Sequence, residues 1–546
     1  MSFIDDILAA QRALGDRASL LEIHGAERRT TTAAELLALV ARVRGYLDRA
    51  GVKPGARVAL YAPNSARWVA ADLAILAHGA IVVPLYSRQD PKELAVMTRD
   101  CEPVLTLAAD QKLADALAEA WPEHAPIALF DEVFVGEPAP ADAPPAPRRA
   151  DEPVTLIYTS GTSGEPKGVI TTVANVDYMI PRTAESVHEI TGSRGAPDKV
   201  FHYLPFCFAG SRIMLWTQLR RGNPLMMSTD LGNLVQEMKT ADPNYYLNVP
   251  ALLERVKTGV YNKLRERGGA VFALYERGLQ ASRNLSDGKA SLADRLVAAL
   301  AARVVFPKIK AQIGASLEFL ICGSAPLSDD TQRWFEIIGI PVYQVYGLTE
   351  TTAIVTMDRP RQAVPGRVGH ALPGLEVRLS DEGELCVRGP NIFPGYWRKP
   401  QQTAETLQDG WLHTGDQAEV DARGNFKIIG RVKNILVPES GHNIAPEPIE
   451  QKLLEHLPGA DQAVLIGHAR PFLTAIITGK VSAPEIQAAV DAVNAEVPHY
   501  RKIRKFLHVP EALTIESGLL TANQKLRRKV IEAHFRPQLD RLYAAE

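Results

Sequence analysis

Residues 159–168 of this chain read TSGTSGEPKG, a run holding four small hydroxyl side chains (Thr159, Ser160, Thr162, Ser163), three glycines (Gly161, Gly164, Gly168) and Lys167. Glycine lets backbone N–H groups turn toward an anion, the hydroxyls add donors, and Lys167 adds a mobile cation. The chemistry open to such a stretch is holding phosphate. It is not the GxxxxGK loop followed by Ser or Thr: the sixth position from Gly161 is Pro166, and Gly168 follows the lysine. A flexible Gly/Ser turn that binds nothing fits the same ten residues, so the rest of the chain has to decide.

Residues 154–158 and 169–172 on either side have strand composition, which makes the loop a strand-to-strand turn. Further along, a strand over 317–322 runs into the small-residue turn Gly323, Ser324, Ala325, Pro326. A second strand over 341–346 runs into Gly347, Leu348, Thr349 and Glu350. Two strand ends with such turns, one carrying a carboxylate, suggest a ligand at the edge of a parallel sheet. Nearer the start, Thr32 and Glu35 form a capping box for a helix that Gly51 ends. A strand over 57–61 follows, then a helix and strand within the apolar window 68–86, a helix over 91–100 and a strand over 104–107. This alternation predicts an α/β layer architecture with a largely parallel sheet.

Residues 136–153, with six prolines, predict an extended, solvated connector. Residues 250–312 read as a helical insertion, including a run near 292–305. Short antiparallel strands are expected over 383–389 and 425–430. Beyond 431 the pattern is a compact α+β unit, with helices expected at 484–496 and 523–536.

At 546 residues the chain exceeds one ordinary core. Its 61 basic and 63 acidic residues give no nucleic-acid or polybasic membrane footprint. Four scattered cysteines, Cys101, Cys207, Cys322 and Cys386, read as buried reduced thiols. The start MSFIDD lacks the features of a signal peptide, and Asp72, His78, Gly79 and Pro84 interrupt the most apolar long window, 68–86. A cytoplasmic protein is expected, with no transmembrane segment; peripheral membrane contact stays open.

In this order the pieces resemble the adenylate-forming superfamily of acyl-CoA synthetases, luciferases and peptide-synthetase adenylation domains. TSGTSGEPKG is similar to its phosphate loop, and GSAPLS (323–328) and VYGLTETT (345–352) to its adenine and magnesium segments. GELCVRGPNIFPGYW (383–397) and GWLHTGDQAEVDARGNFKIIGRVKNI (410–435) resemble its ribose and hinge region, and TANQKLRRKV (521–530) its terminal lysine motif. The helical insertion and the wording ESGHNIAPEPIE (439–450) resemble most the long-chain fatty acyl-CoA synthetases.

The fold then implied is α/β. A large multi-layer N-terminal domain over 1–430 carries mainly parallel sheets and a β-rich subdomain, and a smaller mobile α+β C-terminal domain covers 431–546, hinged at 430–434 with Lys433 as pivot. The implied reaction is activation of a fatty acid by ATP and transfer of the acyl group to coenzyme A. The resemblance implies that Thr159, Ser160, Gly161, Thr162, Ser163, Gly164 and Lys167 wrap the β- and γ-phosphates. Thr349 would donate to the α-phosphate and Glu350 hold Mg²⁺. Tyr346 would stack on adenine beside Gly323, Ser324, Ala325 and Gly347. Asp416 would bind the ribose hydroxyls, with Arg431 a further donor to the nucleotide. Lys525 would pair with the carboxylate and α-phosphate during adenylation, and Ser440, Gly441 and His442 would line the pantetheine tunnel after the domain turns.

One position departs from the pattern: Phe208 stands where many relatives carry histidine, which leaves acyl gating and thiol specificity open. Phe208 and Trp216 read equally as acyl-pocket or core residues. His202 and His442 form no metal-like constellation, so no zinc site is expected. Loading of a carrier-protein phosphopantetheine, or a catalytically silent nucleotide-binding relative, are the alternative readings.

Overall fold

A computed structural model describes residues 2–140, 143–160, 166–192, 196–521 and 525–544; counts below are of these residues. The chain divides into two compact units. The first holds Met1–Ser87, Pro91–Glu376 and Val387–Leu412, and the second Arg88–Asp90, Val377–Cys386 and His413–Glu546. The second unit therefore takes in stretches that precede the hinge expected at 430–434.

Two sheets build the first unit. The six-stranded sheet runs in the order Ile127–Leu129, Leu105–Ala108, Arg57–Tyr61, Ile81–Leu85, Pro153–Ser160, Pro166–Thr172. It is parallel up to its last pair, which is an antiparallel hairpin. The nine-stranded sheet is parallel through its middle, from Ala18–His24 across Leu225–Ser228, Val200–His202, Tyr245–Asn248 and Leu320–Cys322 to Val342–Tyr346. Antiparallel strands close both of its edges.

One apolar core joins the two sheets. Val58, Leu60 and Val82 of the first and Leu20, Val200 and Leu225 of the second meet helix residues such as Trp68, Ile75 and Leu215. Helix Ala66–Ala77 is buried at every position but Arg67, which explains its largely apolar text. It carries Asp72 with it, fully buried and paired to Arg212 of helix Ala209–Arg221. Trp216 of that helix is 1% exposed and donates through Nε1 to Asp72 Oδ2 at 2.9 Å, so it is a core residue. Phe208 stays half-buried at the helix start, its ring 5.8 Å from that of Tyr86.

The proline-rich connector has no regular structure and is largely exposed, as its composition predicts, but it is also tied to a helix. Prolines lack N–H donors and leave carbonyls to be satisfied. Arg49 donates to Glu137 O at 2.7 Å, and Arg44 to Ala143 O at 2.7 Å and Pro144 O at 2.9 Å. Both arginines come from helix Ala33–Arg49, whose N-terminus has the predicted Thr32/Glu35 capping box. Ala139 N donates back to Ala41 O at 2.8 Å, and the connector lies strapped along the helix.

Four helices, Pro250–Arg267, Gly269–Ser286, Leu292–Val304 and Phe306–Ile313, fill the predicted insertion. The second unit contains Ala460–Ile466 antiparallel to Leu473–Gly479, which is parallel to Ile503–Val509, together with helices Glu447–His456 and Ala483–Glu496. The helix expected at 523–536 is corrected. Thr521 N donates to Lys525 O at 2.8 Å and Leu520 bridges Leu526 as an antiparallel pair, and the helix runs over Arg528–His534.

Candidate active site

The hairpin of the six-stranded sheet sets Tyr158 opposite Gly168 and Thr159 opposite Lys167. Ser160 ends the first strand, while Gly161, Thr162, Ser163 and Gly164 lie outside the described residues. A second segment lies along the hairpin: Trp397 N donates to Gly168 O at 2.7 Å, Ile170 N to Gly395 O at 3.2 Å, and Val169 bridges Tyr396. This contact brings together residues far apart in sequence. Lys167 Nζ sits 4.9 Å from the Tyr396 ring centroid, a cation–π distance, and Tyr396 Oη donates to Glu350 Oε1 at 2.8 Å. Tyr396 therefore links the loop lysine to the expected metal-holding carboxylate. Its role was missed from sequence, although it stands inside the motif GPNIFPGYW; an aromatic in a motif gives no sign of what its hydroxyl meets.

Thr349–Thr351 form a single 3₁₀ turn just beyond the end of strand Val342–Tyr346. The turn is folded tightly enough to require Gly347, where a Cβ would lie 2.0 Å from Ala353 O. Gly323 is as constrained, since its Cβ would stand 2.6 Å from Val345 Cγ2 of the neighbouring strand. Ser324 (φ 74°), Thr352 (φ 50°) and Ala353 (φ 86°) hold left-handed backbone without being glycine. Strain of this kind persists where surrounding contacts over-determine it. Around Thr352 and Ala353 Asn391 supplies them, donating to Thr351 O and Ile354 O while its backbone carbonyl accepts from Thr352 Oγ1 at 2.8 Å. Ser324 and Ala325 are exposed and Tyr346, Thr349 and Glu350 half-buried, so these groups border solvent at the strand ends.

In the second unit, Asp416 and Arg431 face each other across an antiparallel pair, with Arg431 Nε 2.7 Å from Asp416 Oδ1. Asp416 is 4% exposed. The strand Trp411–Val420 that carries it is held by Glu384, which accepts from Gly415 N at 2.8 Å through Oε1 and lies 2.8 Å from His413 Nδ1 through Oε2. Cys386 Sγ is 3.6 Å from the same His413 nitrogen. Glu384, Cys386 and His413 thus bring potential metal-ligand atoms within 4.8 Å of one another, a grouping the sequence reading missed. Glu384 already uses both oxygens on that strand. Burial, with Glu384 beside it, pushes the Cys386 thiol upward and disfavours the thiolate that a metal would take.

Val432–Asn434, including Lys433, form a 3₁₀ turn, and Asn434 Nδ2 donates to Glu447 Oε1 at 2.7 Å. Gly441 has φ 75° in open space, which gives its glycine a backbone reason. His442 stacks on Tyr500 at 4.2 Å. Lys525 is exposed, its N donating to Thr521 Oγ1 at 3.1 Å. The basic run after it is no solvated face at Arg528, which donates to Glu450 Oε1 at 2.6 Å and stands 3.6 Å from Glu447 Oε1. The two carboxylates hold the Arg528 guanidinium proton more firmly than usual against the effect of burial. The chain leaving Lys525 is thereby tied to helix Glu447–His456.

With this geometry in place, the chain can be set beside known proteins. Residues 9–397 match the AMP-binding enzyme family and residues 433–546 the AMP-binding enzyme C-terminal domain. The chain belongs to the AMP-binding enzyme family. It is 31% identical to the long-chain-fatty-acid–CoA ligase FadD15 of Mycobacterium bovis over 539 residues, covering 91% of this chain and 89% of that protein. It is 27% identical to the mouse long-chain-fatty-acid–CoA ligase ACSBG1, covering 85% of this chain and 69% of that one. Among solved structures, the A domain of a carboxylic acid reductase from Segniliparus rugosus, in complex with AMP and a co-purified carboxylic acid, superposes with a TM-score of 0.82 at 20% identity. It covers 100% of this chain and 94% of that one. This likeness shows that the two chains share a fold. Among the described residues no helix is long and apolar enough to cross a membrane.

Proposed function

We propose that the protein is an AMP-forming ligase that joins a long-chain fatty acid to coenzyme A at the expense of ATP. The observation that carries the reading is the convergence of Lys167, Tyr396 and Glu350 beside a strained strand-end turn. The names of its full-length relatives supply the acyl class. A carboxylate is a poor acyl donor. Its oxygen attacks the α-phosphorus of ATP, pyrophosphate leaves, and the acyl-adenylate offers AMP as leaving group to the thiol of coenzyme A. Charge crowds around the phosphates, so positioning and electrostatic stabilisation do the catalysis.

In this reading the hairpin residues from Thr159 to Lys167 grip the departing pyrophosphate and Thr349 donates to the α-phosphate. Tyr346 stacks on adenine, and the buried Asp416, oriented by Arg431, accepts from the ribose hydroxyls. Glu350 offers oxygen donors on a half-buried turn, which suits a hard divalent cation; Mg²⁺ there would neutralise phosphate charge. Lys525 relieves the repulsion between carboxylate and α-phosphate. Lys433 and its neighbours absorb the dihedral change that lets Gly441 serve the thiol half-reaction. The four buried, unpaired cysteines suit a reducing cytoplasm.

The test is pyrophosphate release across a panel of carboxylic acids, followed by thioester analysis. Long-chain acids should drive release and yield acyl-CoA, and Lys525→Ala should lower release by about a hundredfold or more. Release independent of any acid would overturn the reading. Loading of a holo-carrier protein without any CoA thioester would overturn the acceptor.

A further inference from the structure

The helical insertion carries a surface that the acyl-transfer chemistry does not use. Helix Leu292–Val304 exposes Leu292 (80%), Leu296 (74%), Leu300 (52%) and Val304 (40%), four apolar side chains at successive spacings of four. This spacing places them on one stripe along the helix. Exposed Ala293 and Ala299 extend it, and exposed Arg295 and Arg303 are the charges among them. The sole acid of the helix, Asp294, is turned back to the N-cap, accepting from Ser291 N at 2.9 Å and Ser291 Oγ at 2.8 Å. Lys289 and Lys308, both exposed, stand just before and just after the helix.

Charge in this region departs from that of the whole chain. Residues 250–316 hold twelve Lys and Arg against five Asp and Glu, whereas the full chain is at −2. An exposed leucine stripe rimmed by cations is the pattern of a helix that lies in a membrane interface. We infer that helix Leu292–Val304 docks this protein on an anionic lipid bilayer, its leucines entering the acyl boundary and Arg295, Arg303, Lys289 and Lys308 meeting the headgroups. A second copy is the poorer occupant, because a two-fold contact through this face would set the arginine rims against each other. The inference stands apart from the acyl reading, since docking is measured without turnover.

The experiment is flotation of the full-length protein with vesicles of phosphatidylcholine alone and of equal parts phosphatidylcholine and phosphatidylglycerol. Binding to the anionic vesicles should be at least about tenfold stronger and should weaken with added salt. The combined variant Leu292→Gln, Leu296→Gln, Leu300→Gln should lose about tenfold or more of it, while pyrophosphate release with a short, water-soluble acid is unchanged. Should that variant fold poorly by circular dichroism, Arg295→Gln with Arg303→Gln tests the same surface by lowering the salt dependence. Wild-type protein that ignores anionic vesicles overturns the inference. So does undiminished binding by the folded leucine variant, or a wild-type dimer that this variant splits without vesicle binding having been seen.

Discussion

Asp72 and Glu350 are both carboxylates of the first unit, and the way each is held separates packing from ligand chemistry. Asp72 is closed in. Arg212 and Trp216 Nε1 both donate to it, the guanidinium stacks 4.5 Å from the Trp216 ring centroid, and Arg212 passes a further hydrogen bond to Thr155 Oγ1. Neither member of that ion pair reaches solvent. Glu350 is half-buried, its partner is the neutral phenol of Tyr396, and the nearby cation, Lys167, lies over the ring of that phenol. A closed shell that includes a cation leaves nothing for a ligand to do. A half-open shell with a neutral donor fixes the carboxylate and keeps its charge for something else.

Breaking the closed shell should have the largest effect. Asp72→Ala leaves Arg212 buried and unpaired, and unfolding stability should fall by about 3–5 kcal/mol. Denaturant titration would measure it, and a loss below about 1 kcal/mol would mean that Arg212 finds another way to discharge its burial.

Asp358 sharpens the contrast because it is buried with hydrogen-bond donors but no cation. Gln344 N donates to its Oδ2 at 2.8 Å, and burial pushes its carboxyl up to about 7 despite hydrogen bonds from Gln344 and Gln332. The native state then holds the proton more tightly than the unfolded chain. This contribution is fully present below the unfolded carboxylate range and is lost as pH rises toward 7, with a slope of at most about 1.4 kcal/mol per pH unit. Asp358→Asn keeps the acceptor and removes the titration. The stability difference between variant and wild type should therefore grow from pH 4 to pH 7, and a difference flat with pH would show that Asp358 is ionised throughout.

The open shell should answer in rate and not in stability. Glu350→Gln keeps the acceptor for Tyr396 but removes the charge, and acid-dependent pyrophosphate release should fall by about a hundredfold with the melting temperature unmoved. A matching drop in melting temperature would erase the distinction between Glu350 and Asp72.

Local rules were readable in the sequence and distant pairings were not. The Thr32/Glu35 box, strand Arg57–Tyr61 and the hairpin around the phosphate loop follow from spacing and turn chemistry within a few residues. Asp72 could be read only as an interruption of an apolar window, since its partner Arg212 is 140 positions away. Nothing in the motif TANQKLRRKV pointed to a partner for Arg528, because Glu450 lies 78 positions earlier. The connector's composition gave its irregular, exposed character but not its tether, because the arginines that satisfy its carbonyls belong to a neighbouring helix. At the candidate site, motif resemblance supplied Glu350, Asp416 and Lys525 one by one, and the fold supplied Tyr396.

That phenol gives the smallest and most discriminating test. Tyr396→Phe keeps the ring under Lys167 and its edge contact with Phe393, 4.8 Å between centroids, and deletes only the donor to Glu350. One hydrogen bond to a half-exposed carboxylate is worth about 1 kcal/mol, so release should slow roughly fivefold. Tyr396→Leu removes ring and hydroxyl together and should slow it further if the cation–π contact also orients Lys167. Combining Tyr396→Phe with Glu350→Gln should add no more than Glu350→Gln alone, because a donor whose task is to aim a charge has no task once the charge is gone. Strict additivity of the two would place Tyr396 on the ligand itself instead of behind Glu350.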